Sequence, residues 1–159
     1  MIRSEILHVG MTVSDLDRTV EFYCGLFGLR KVSRGQAGGE QVATVVGIAH
    51  AEMRIAMLAG ENLLVELIQY TVGNGQPAAP STNDIGSAHV CLSVDDIDAV
   101  YRELYEKGVE FVAPPSPPLD DAGTRVVFVR DPDGIPVELL QPGRGGSLAE
   151  MLAADELTA

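Results

Sequence analysis

The alternation of apolar and polar residues predicts that the chain opens with a strand and then a helix. Residues 6–13 alternate well enough to form a strand, because successive side chains of a strand point to opposite faces. Apolar residues then recur at helical spacing, and we expect a helix that Ser14 or Asp15 caps and that runs to about Gly28. The same order, a strand followed by a helix, is predicted again in the second half of the chain.

The remainder of the first half is predicted to contain a loop and three strands. Residues 33–40 are rich in glycine and have no periodicity, which is typical of a flexible loop. Strands are predicted at 42–46, 52–58 and 62–70. The glycines and prolines that follow indicate a linker.

The second half repeats the order of the first. Its predicted elements are a strand at 88–94, a helix that Asp95 or Asp96 caps and that runs through Lys107, a strand that begins at Phe111, a strand at 125–130, and a last strand after the turn-forming run DPDG at 131–134. Residues 148–157 have the pattern of a short amphipathic helix.

Two sequence offsets make this repeat explicit. A shift of 81 places HVGMTVSDLD (8–17) on HVCLSVDDID (89–98), and a shift of 72 places VEL at 65–67 on VEL at 137–139. The offset falls by nine, so the second copy is nine residues shorter, most naturally in its loops. We therefore predict an α+β fold of two βαβββ modules that form a cupped mixed sheet with helices on its outer face. The predicted ranges are 1–72 and 84–142 for the modules, 73–83 for the linker and 143–159 for the tail.

The repeat places one histidine in the first strand and one glutamate in the last strand of each module. These residues are His8, Glu66, His89 and Glu138. Each glutamate stands between apolar neighbours on a face that should be partly covered, where a carboxylate is costly unless a partner or a metal compensates it. Imidazole and carboxylate together suit zinc, nickel, cobalt, manganese or ferrous iron.

Composition narrows the range of partners. A formal net charge of −12 over 159 residues argues against nucleic acid and against an anionic membrane surface. The chain shows neither a signal-peptide pattern nor a stretch long enough to span a bilayer, and we expect a cytoplasmic protein. Its two cysteines, Cys24 and Cys91, are predicted to be small buried thiols in a reducing compartment.

The H-x4-V-x-D-[LI]-D entries at 8–17 and 89–98 and the DPDG-x3-E-L ending resemble the vicinal oxygen chelate superfamily. That superfamily includes glyoxalase I, methylmalonyl-CoA epimerase, extradiol dioxygenases and antibiotic-resistance proteins, and the resemblance covers about residues 5–142. It implies that the four histidines and glutamates bind a divalent metal, with nickel, zinc, cobalt or manganese favoured over ferrous iron. The His/Glu/His/Glu set resembles that of bacterial glyoxalase I, whereas the epimerase branch usually has glutamine where Glu66 stands.

The resemblance also implies a reaction. It indicates a metal-dependent lyase or isomerase of the glyoxalase I type that acts on a small carbonyl or thioester substrate through a metal-chelated enediolate. The base is Glu138 or Glu66, and we favour Glu138 slightly. Two alternatives stay open, a non-catalytic small-molecule binding protein and an iron(II) extradiol-type dioxygenase.

Two further expectations concern binding. Glyoxalases hold an anionic glutathione arm with arginine or lysine, and the candidates here are Arg54, Arg125 and Arg130, which lie in predicted strands. We also expect a homodimer, because exposed sheet edges in such modules are usually covered by a partner.

Overall fold

The computed structural model describes residues 5–73, 75–77 and 81–154. The chain divides into two compact units, Met1–Ala78 and Ala79–Ala159. Each unit contains a small mixed sheet and a helix that follows its first strand, so the α+β class is confirmed. Among the described residues, no helix has the length and apolar character needed to cross a membrane.

The first unit has a four-stranded sheet in the order β1-β4-β3-β2. Its elements are β1 (His8–Thr12), α1 (Leu16–Phe27), β2 (Arg30–Gly38), α2 (Glu40–Val46), β3 (Glu52–Ala59) and β4 (Leu64–Val72). Strand β1 is parallel to β4, and the other two pairs are antiparallel. Helix α1 contributes Leu16 and Tyr23 to the core, where Leu58 and Leu67 of the sheet are fully buried.

The second unit has a three-stranded sheet in the order β5-β7-β6. Its elements are β5 (Val90–Ser93), α3 (Ile97–Glu106), β6 (Arg125–Arg130), β7 (Pro136–Gln141) and α4 (Leu148–Ala154). Strand β5 is parallel to β7, and β6 is antiparallel to it. The core again lies between sheet and helix, with Val137 and Leu139 buried together with Ile97 and Leu104.

The two long helices begin at the predicted aspartates. The Asp15 carboxylate accepts hydrogen bonds from the backbone N–H groups of Asp17 and Arg18, and the Asp96 carboxylate accepts them from Asp98 and Ala99. These bonds satisfy N–H groups that have no partner within the helix. Helix α1 then ends at Gly28, whose φ of 70° is the left-handed conformation that glycine adopts readily.

The structure corrects two predictions in the first unit. Residues 33–40 are not a flexible loop, because residues 33–38 form most of β2, whose backbone pairs with β3 from Arg30 to Gly38, and Glu40 begins α2. Backbone pairing stabilises this edge strand although nearly all of its residues are exposed. Residues 42–46 are not a strand but part of α2, which Gly39 and Gly47 bracket with positive φ angles.

The second unit lacks one predicted strand. Phe111 makes only an isolated bridge to Val129, at the place where β2 and β3 pair Lys31 with Leu58 in the first unit. The run PPSPP at 114–118 follows, and proline has no backbone N–H to donate to a sheet. The expected strand is therefore reduced to single backbone contacts such as Val112 N to Phe128 O, 2.9 Å.

The remaining predictions concern the tail and the cysteines. Helix α4 confirms a helix in the tail, although residues 155–157 of the predicted range lie outside the described residues, as do residues 74 and 78–80 of the predicted linker. Both cysteines are free, but neither is fully buried: Cys24 is half-buried and Cys91 is exposed. The prediction of two buried thiols was wrong.

Candidate functional site

In the first unit, one histidine and one glutamate meet on the same face of the sheet. His8 is the first residue of β1, and Nε2 of its ring lies 3.4 Å from Oε2 of Glu66 in β4. The parallel register pairs Gly10 with Glu66, so the residue two positions before Gly10 shares the face of that glutamate. The backbone register thus brings the imidazole and the carboxylate together.

The second unit contains the same arrangement. His89 immediately precedes β5, and its Nε2 lies 2.9 Å from Oε2 of Glu138 in β7. Cys91 is the register partner of Glu138, as Gly10 is of Glu66. The 81-residue and 72-residue offsets of the sequence therefore correspond to one backbone geometry that occurs twice.

Both carboxylates are partly covered. The side chain of Glu66 is 22% exposed and that of Glu138 is 16% exposed. The neighbours of each glutamate along its strand point to the opposite face and are buried under the helix; they are Val65, Leu67, Val137 and Leu139. The predicted position of each glutamate among apolar neighbours is confirmed.

The opposite face of each sheet is fixed to the start of its helix by a glutamine. Oε1 of Gln69 accepts a hydrogen bond from the backbone N–H of Leu16 at 3.3 Å, and Oε1 of Gln141 accepts one from that of Ile97 at 3.0 Å. Gln69 also donates to the carbonyl of Ser14. Gln69 lies three residues after Glu66, and Gln141 lies three after Glu138, so each glutamine is on the face opposite to its glutamate. These hydrogen bonds therefore join the glutamate strands to the helices on the helix-covered face.

Two of the three candidate anion-binding arginines lie on this helix-covered face. Arg54 donates to Asp17 at 2.8 Å, and Arg125 donates to both carboxylate oxygens of Asp98, at 2.6 and 3.0 Å. Hydrogen bonds from Arg54 and then Arg34 hold the pKa of Asp17 below its ordinary value, and the hydrogen bond from Arg125 does the same for the pKa of Asp98. These arginines stabilise helix starts and do not face the His–Glu pairs.

The third candidate, Arg130, is positioned differently. It is the last residue of β6 and pairs with Pro136, so it shares the face of Glu138. Its Nη1 donates to the carbonyl of Gly134 in the turn at 2.8 Å. That turn is the predicted one: Gly134 has a φ of 81°, and the buried Asp131 accepts from the N–H groups of Asp133 and Ile135.

The immediate neighbours of the two pairs differ. On the first strand, Gly10 stands where Cys91 stands in the second unit, and on the antiparallel neighbour Met57 stands where Phe128 stands. The rings of His89 and Phe128 form a T-shaped contact with a centroid distance of 5.4 Å. The aligned runs HVG and HVC contain the signal for the first difference, but sequence reasoning gave that position no role.

The thiol of Cys91 lies against the Glu138 carboxylate. Although Cys91 is exposed as a residue, its thiol is partly desolvated beside the sheet, and this desolvation, followed by the negative charge and hydrogen-bonding of Glu138, raises the pKa of the thiol to about 11. A thiol that keeps its proton near a carboxylate is a weak donor to it. The second pair therefore has a third polar neighbour that the first pair lacks.

The spacing within each pair fits metal ligation. Two ligands about 2.1 Å from one ion, at bond angles of about 90–110°, are separated by about 3.0–3.4 Å. The observed separations of 3.4 Å and 2.9 Å between Nε2 and Oε2 lie at or near these limits. Across the described residues, no group of three or more histidine, cysteine, aspartate or glutamate side chains is arranged so that it could hold a metal ion, and each unit contributes one His–Glu pair.

Comparison with known proteins defines the family. Residues 5–139 match the Glyoxalase/Bleomycin resistance protein/Dioxygenase superfamily, and the chain belongs to it. The superfamily resemblance inferred from the repeated motifs is thereby confirmed.

Named relatives cover most of the chain. It is 29% identical over 143 residues to a probable lactoylglutathione lyase from Synechocystis, with 86% of this chain and 94% of the relative covered. It is 33% identical to a 2-epi-5-epi-valiolone epimerase from Actinomyces, with 84% and 76% covered. The chain spans less than half the length of the lactoylglutathione lyases from Arabidopsis and Brassica that it also matches.

Solved structures support the fold. A glyoxalase family protein from Bacillus cereus aligns with a TM-score of 0.78 at 23% identity, with 89% of this chain and 95% of that chain covered. At this level of identity the likeness concerns the fold alone.

Proposed function

We propose that His8, Glu66, His89 and Glu138 are the ligands of one divalent metal ion, nickel, zinc, cobalt or manganese. The observation that supports this most strongly is the repetition of one His–Glu pair in one backbone register, with ligand-like spacing in both units. Two imidazoles and two carboxylates suit these borderline metals. A purely structural role for His–Glu pairs does not require that both copies retain both residues.

We further propose that the protein is a lyase or isomerase that moves a proton next to a carbonyl group. The bound ion would supply a Lewis acid that stabilises negative charge on the substrate oxygens. A glutamate of the site removes the proton from the carbon beside the carbonyl, and the electron pair of that C–H bond moves toward the carbonyl oxygen to give an enediolate or enolate. In an isomerisation the same carboxylic acid then returns the proton to the neighbouring carbon. In an epimerisation the other glutamate, in its protonated form, would deliver a proton to the opposite face of the same carbon, and the first glutamate would keep the proton it removed.

The partial burial of both glutamates favours this role. A carboxylate with 16–22% of its side chain exposed is reachable by a substrate yet less hydrated than one on the surface. The buried neighbours of each glutamate keep its strand rigid while the carboxylate faces outward.

The substrate is a small carbonyl compound or thioester. The relatives include proteins named as lactoylglutathione lyases and one named as 2-epi-5-epi-valiolone epimerase. Since Arg54 and Arg125 are paired with aspartates on the helix-covered faces, they do not provide a binding site for the charged glutathione arm. Of the three candidate arginines, this leaves Arg130 on the face of Glu138. An epimerase-type substrate without such an arm is therefore the second candidate.

Solvent exchange tests both candidates in one experiment. The protein is stripped of metal, reloaded with nickel, zinc, cobalt or manganese, and incubated in D2O with S-lactoylglutathione or with 2-epi-5-epi-valiolone. Metal-dependent incorporation of deuterium at the carbon beside the carbonyl, followed by NMR, is the expected result for one of the two. Exchange at the rate of the metal-free control with both compounds, from protein that carries metal, would contradict the proposed chemistry for these substrates.

A further inference from the structure

The backbone holds the two histidines of the His–Glu pairs differently. His8 is the first residue of β1 and is paired in register with Leu64 of β4. His89 lies one residue before β5, whose pairing with β7 begins at Val90. The sheet register that fixes His8 therefore begins one residue too late to fix His89.

His89 nevertheless forms the closer pair. Its Nε2 lies 2.9 Å from Oε2 of Glu138, which is hydrogen-bonding distance, whereas the corresponding atoms of His8 and Glu66 are 3.4 Å apart. The two histidine side chains are exposed to nearly the same extent, 42% for His8 and 44% for His89. Burial of the imidazole therefore does not explain the closer contact, and the His89 ring must be restrained in another way.

Phe128 supplies such a restraint. Its ring and the His89 ring form a T-shaped contact with an interplanar angle of 81°, which is a favoured arrangement of two aromatic rings. Phe128 also lies directly across from Glu138 in the pairing of β6 with β7. On its other side, the Phe128 carbonyl accepts a hydrogen bond from the backbone N–H of Val112 at 2.9 Å. The ring that contacts His89 is therefore carried by backbone that is held on both sides.

The first unit has no ring at the equivalent place. The residue across from Glu66 is Met57, whose unbranched side chain is flexible. Among the residues that the structure describes, no aromatic ring contacts His8. The same strand register thus places an aromatic ring across from one glutamate and a thioether across from the other.

We propose that Phe128 is a positioning residue that fixes the imidazole of His89 for metal binding. This inference rests on the proposed function. Without the Phe128 ring, the half-exposed His89 side chain would exchange among several χ1 rotamers, and metal binding would have to select one of them. Residues that orient a metal-binding histidine change metal affinity by about 10–100-fold. We expect the lower end of this range, because a ring contact is weaker than the hydrogen bonds that usually orient such a histidine.

The equivalent positions in the two units provide matched variants. Phe128→Leu removes the ring but keeps an apolar side chain, Phe128→Tyr keeps the ring, and Phe128→Met introduces the residue type of the first unit. Met57→Leu is the control, since it changes the equivalent position across from Glu66. Far-UV circular dichroism and thermal unfolding identify the folded variants, and Phe128→Met replaces Phe128→Leu in the comparison if the leucine variant does not fold.

The first measurement is the dissociation constant of cobalt(II), from titration calorimetry without substrate. We expect Phe128→Leu and Phe128→Met to weaken cobalt binding by about tenfold. Phe128→Tyr should recover the affinity of the wild type to within about threefold, because the ring is retained. The control Met57→Leu should also stay within about threefold of the wild type.

The second measurement uses the metal-free protein and reports on the His89 ring itself. Three-bond NMR couplings across the Cα–Cβ bond of His89 should be those of a single χ1 rotamer in the wild type and in Phe128→Tyr. In Phe128→Leu they should move to averaged values, while the couplings of His8 and His50 stay unchanged. A general loss of stability in a folded variant would not change the rotamers of one histidine alone.

Three results would overturn the inference. They are an unchanged cobalt affinity in Phe128→Leu, an equal loss of affinity in Phe128→Leu and Phe128→Tyr, and His89 couplings that are the same in Phe128→Leu and the wild type. Failure of the proposed function looks different, because the wild type would then bind no cobalt. In that case a His89 rotamer that is single in the metal-free wild type and averaged in Phe128→Leu would still support the fixing of the ring by Phe128.

Discussion

The two units of this protein share their site framework and differ in what surrounds it. Both place a histidine and a glutamate on one sheet face, cap the following helix with an aspartate, and fix the helix start with a glutamine from the glutamate strand. The larger differences lie farther out, in the long β2 and the added helix α2 of the first unit and the proline-rich segment of the second. Within the chain, the parts that position the His–Glu pairs are the parts that recur.

This contrast shows which interactions the site depends on. The recurring contacts are hydrogen bonds and buried apolar side chains that set the position of one strand relative to one helix. An edge strand can shorten to a single bridge at Phe111 without disturbing them. At the site itself, the register partner of the glutamate is Gly10 in one unit and Cys91 in the other, and the register of the two strands is the same.

The largest effects on the free energy of unfolding are expected at the buried residues beside the glutamates, and they test whether the two units are equivalent. Leu67 and Leu139 are equivalent, and both are fully buried. We expect Leu67→Ala and Leu139→Ala each to lower the free energy of unfolding by about 2–5 kcal/mol, because each removes apolar contacts and leaves a cavity. Urea unfolding measures both, with Leu152→Ala in the exposed part of α4 as a control of little effect. A cost below about 1 kcal/mol at one site only would show that the two cores are not equivalent.

Substitution of the two glutamines should give intermediate losses of unfolding free energy and compares the two helix starts. Gln69→Ala and Gln141→Ala each leave a part-buried helix N–H without its partner, which costs about 1–3 kcal/mol in urea unfolding. We expect the larger loss at Gln69, which also bonds Ser14 and Arg54. The matched variants Gln69→Glu and Gln141→Glu keep an acceptor at the helix start and should retain most of the stability. Equal stability of the alanine variants and the wild type would contradict this role.

The aspartate–arginine pairs should give the smallest effect, visible as a pH dependence. The pKa of Asp98 is lowered in the folded protein by Arg125, and that of Asp17 by Arg54 and Arg34, from the ordinary value of 3.8. Stabilisation by such a group is complete above its unfolded pKa and is lost as pH falls through the folded pKa. The stability gap between wild type and Asp98→Asn should therefore be present at pH 7 and close below pH 3.8.

Salt and a second variant check this small effect. Both aspartates are exposed, so about 1 M salt should also narrow the gap. Asp17→Asn should behave in the same way, and the control Glu106→Gln, at the end of α3, should show no such dependence. A gap that widens as the pH falls would contradict the assignment.

Most elements of the fold could be predicted from the sequence because they carry local signals. The two long helices have aspartate caps and regular apolar spacing, and the strands beside the site have buried residues at alternate positions. Strand β2 has no such pattern, since it is held by backbone pairing to β3 and exposes nearly all of its side chains. The valines and threonine of helix α2 favour strands, so the sequence pattern predicts a strand there, whereas Gly39 and Gly47 with their positive φ angles delimit a helix.

The candidate site was predictable only as far as the repeat reaches. The repeat identifies His8 with His89 and Glu66 with Glu138, and the structure brings each histidine to the glutamate of its own unit. The cross-strand neighbours of Glu138, which are Phe128 and Cys91, could not be predicted from the sequence, because they depend on the register of the strands. For the same reason the sequence did not show that Arg54 and Arg125 face the helices.

The central claim, that the two His–Glu pairs supply the ligands of one metal ion, is tested most directly by metal content. The purified protein, His8→Ala and His89→Ala are each dialysed against nickel, zinc, cobalt or manganese at micromolar concentration and analysed for bound metal per chain. The account predicts about one ion per chain in the wild type and a loss of most of it in both variants, since each pair contributes to the same ion. Retention of the full metal content in either variant, or no binding by the wild type, would contradict it.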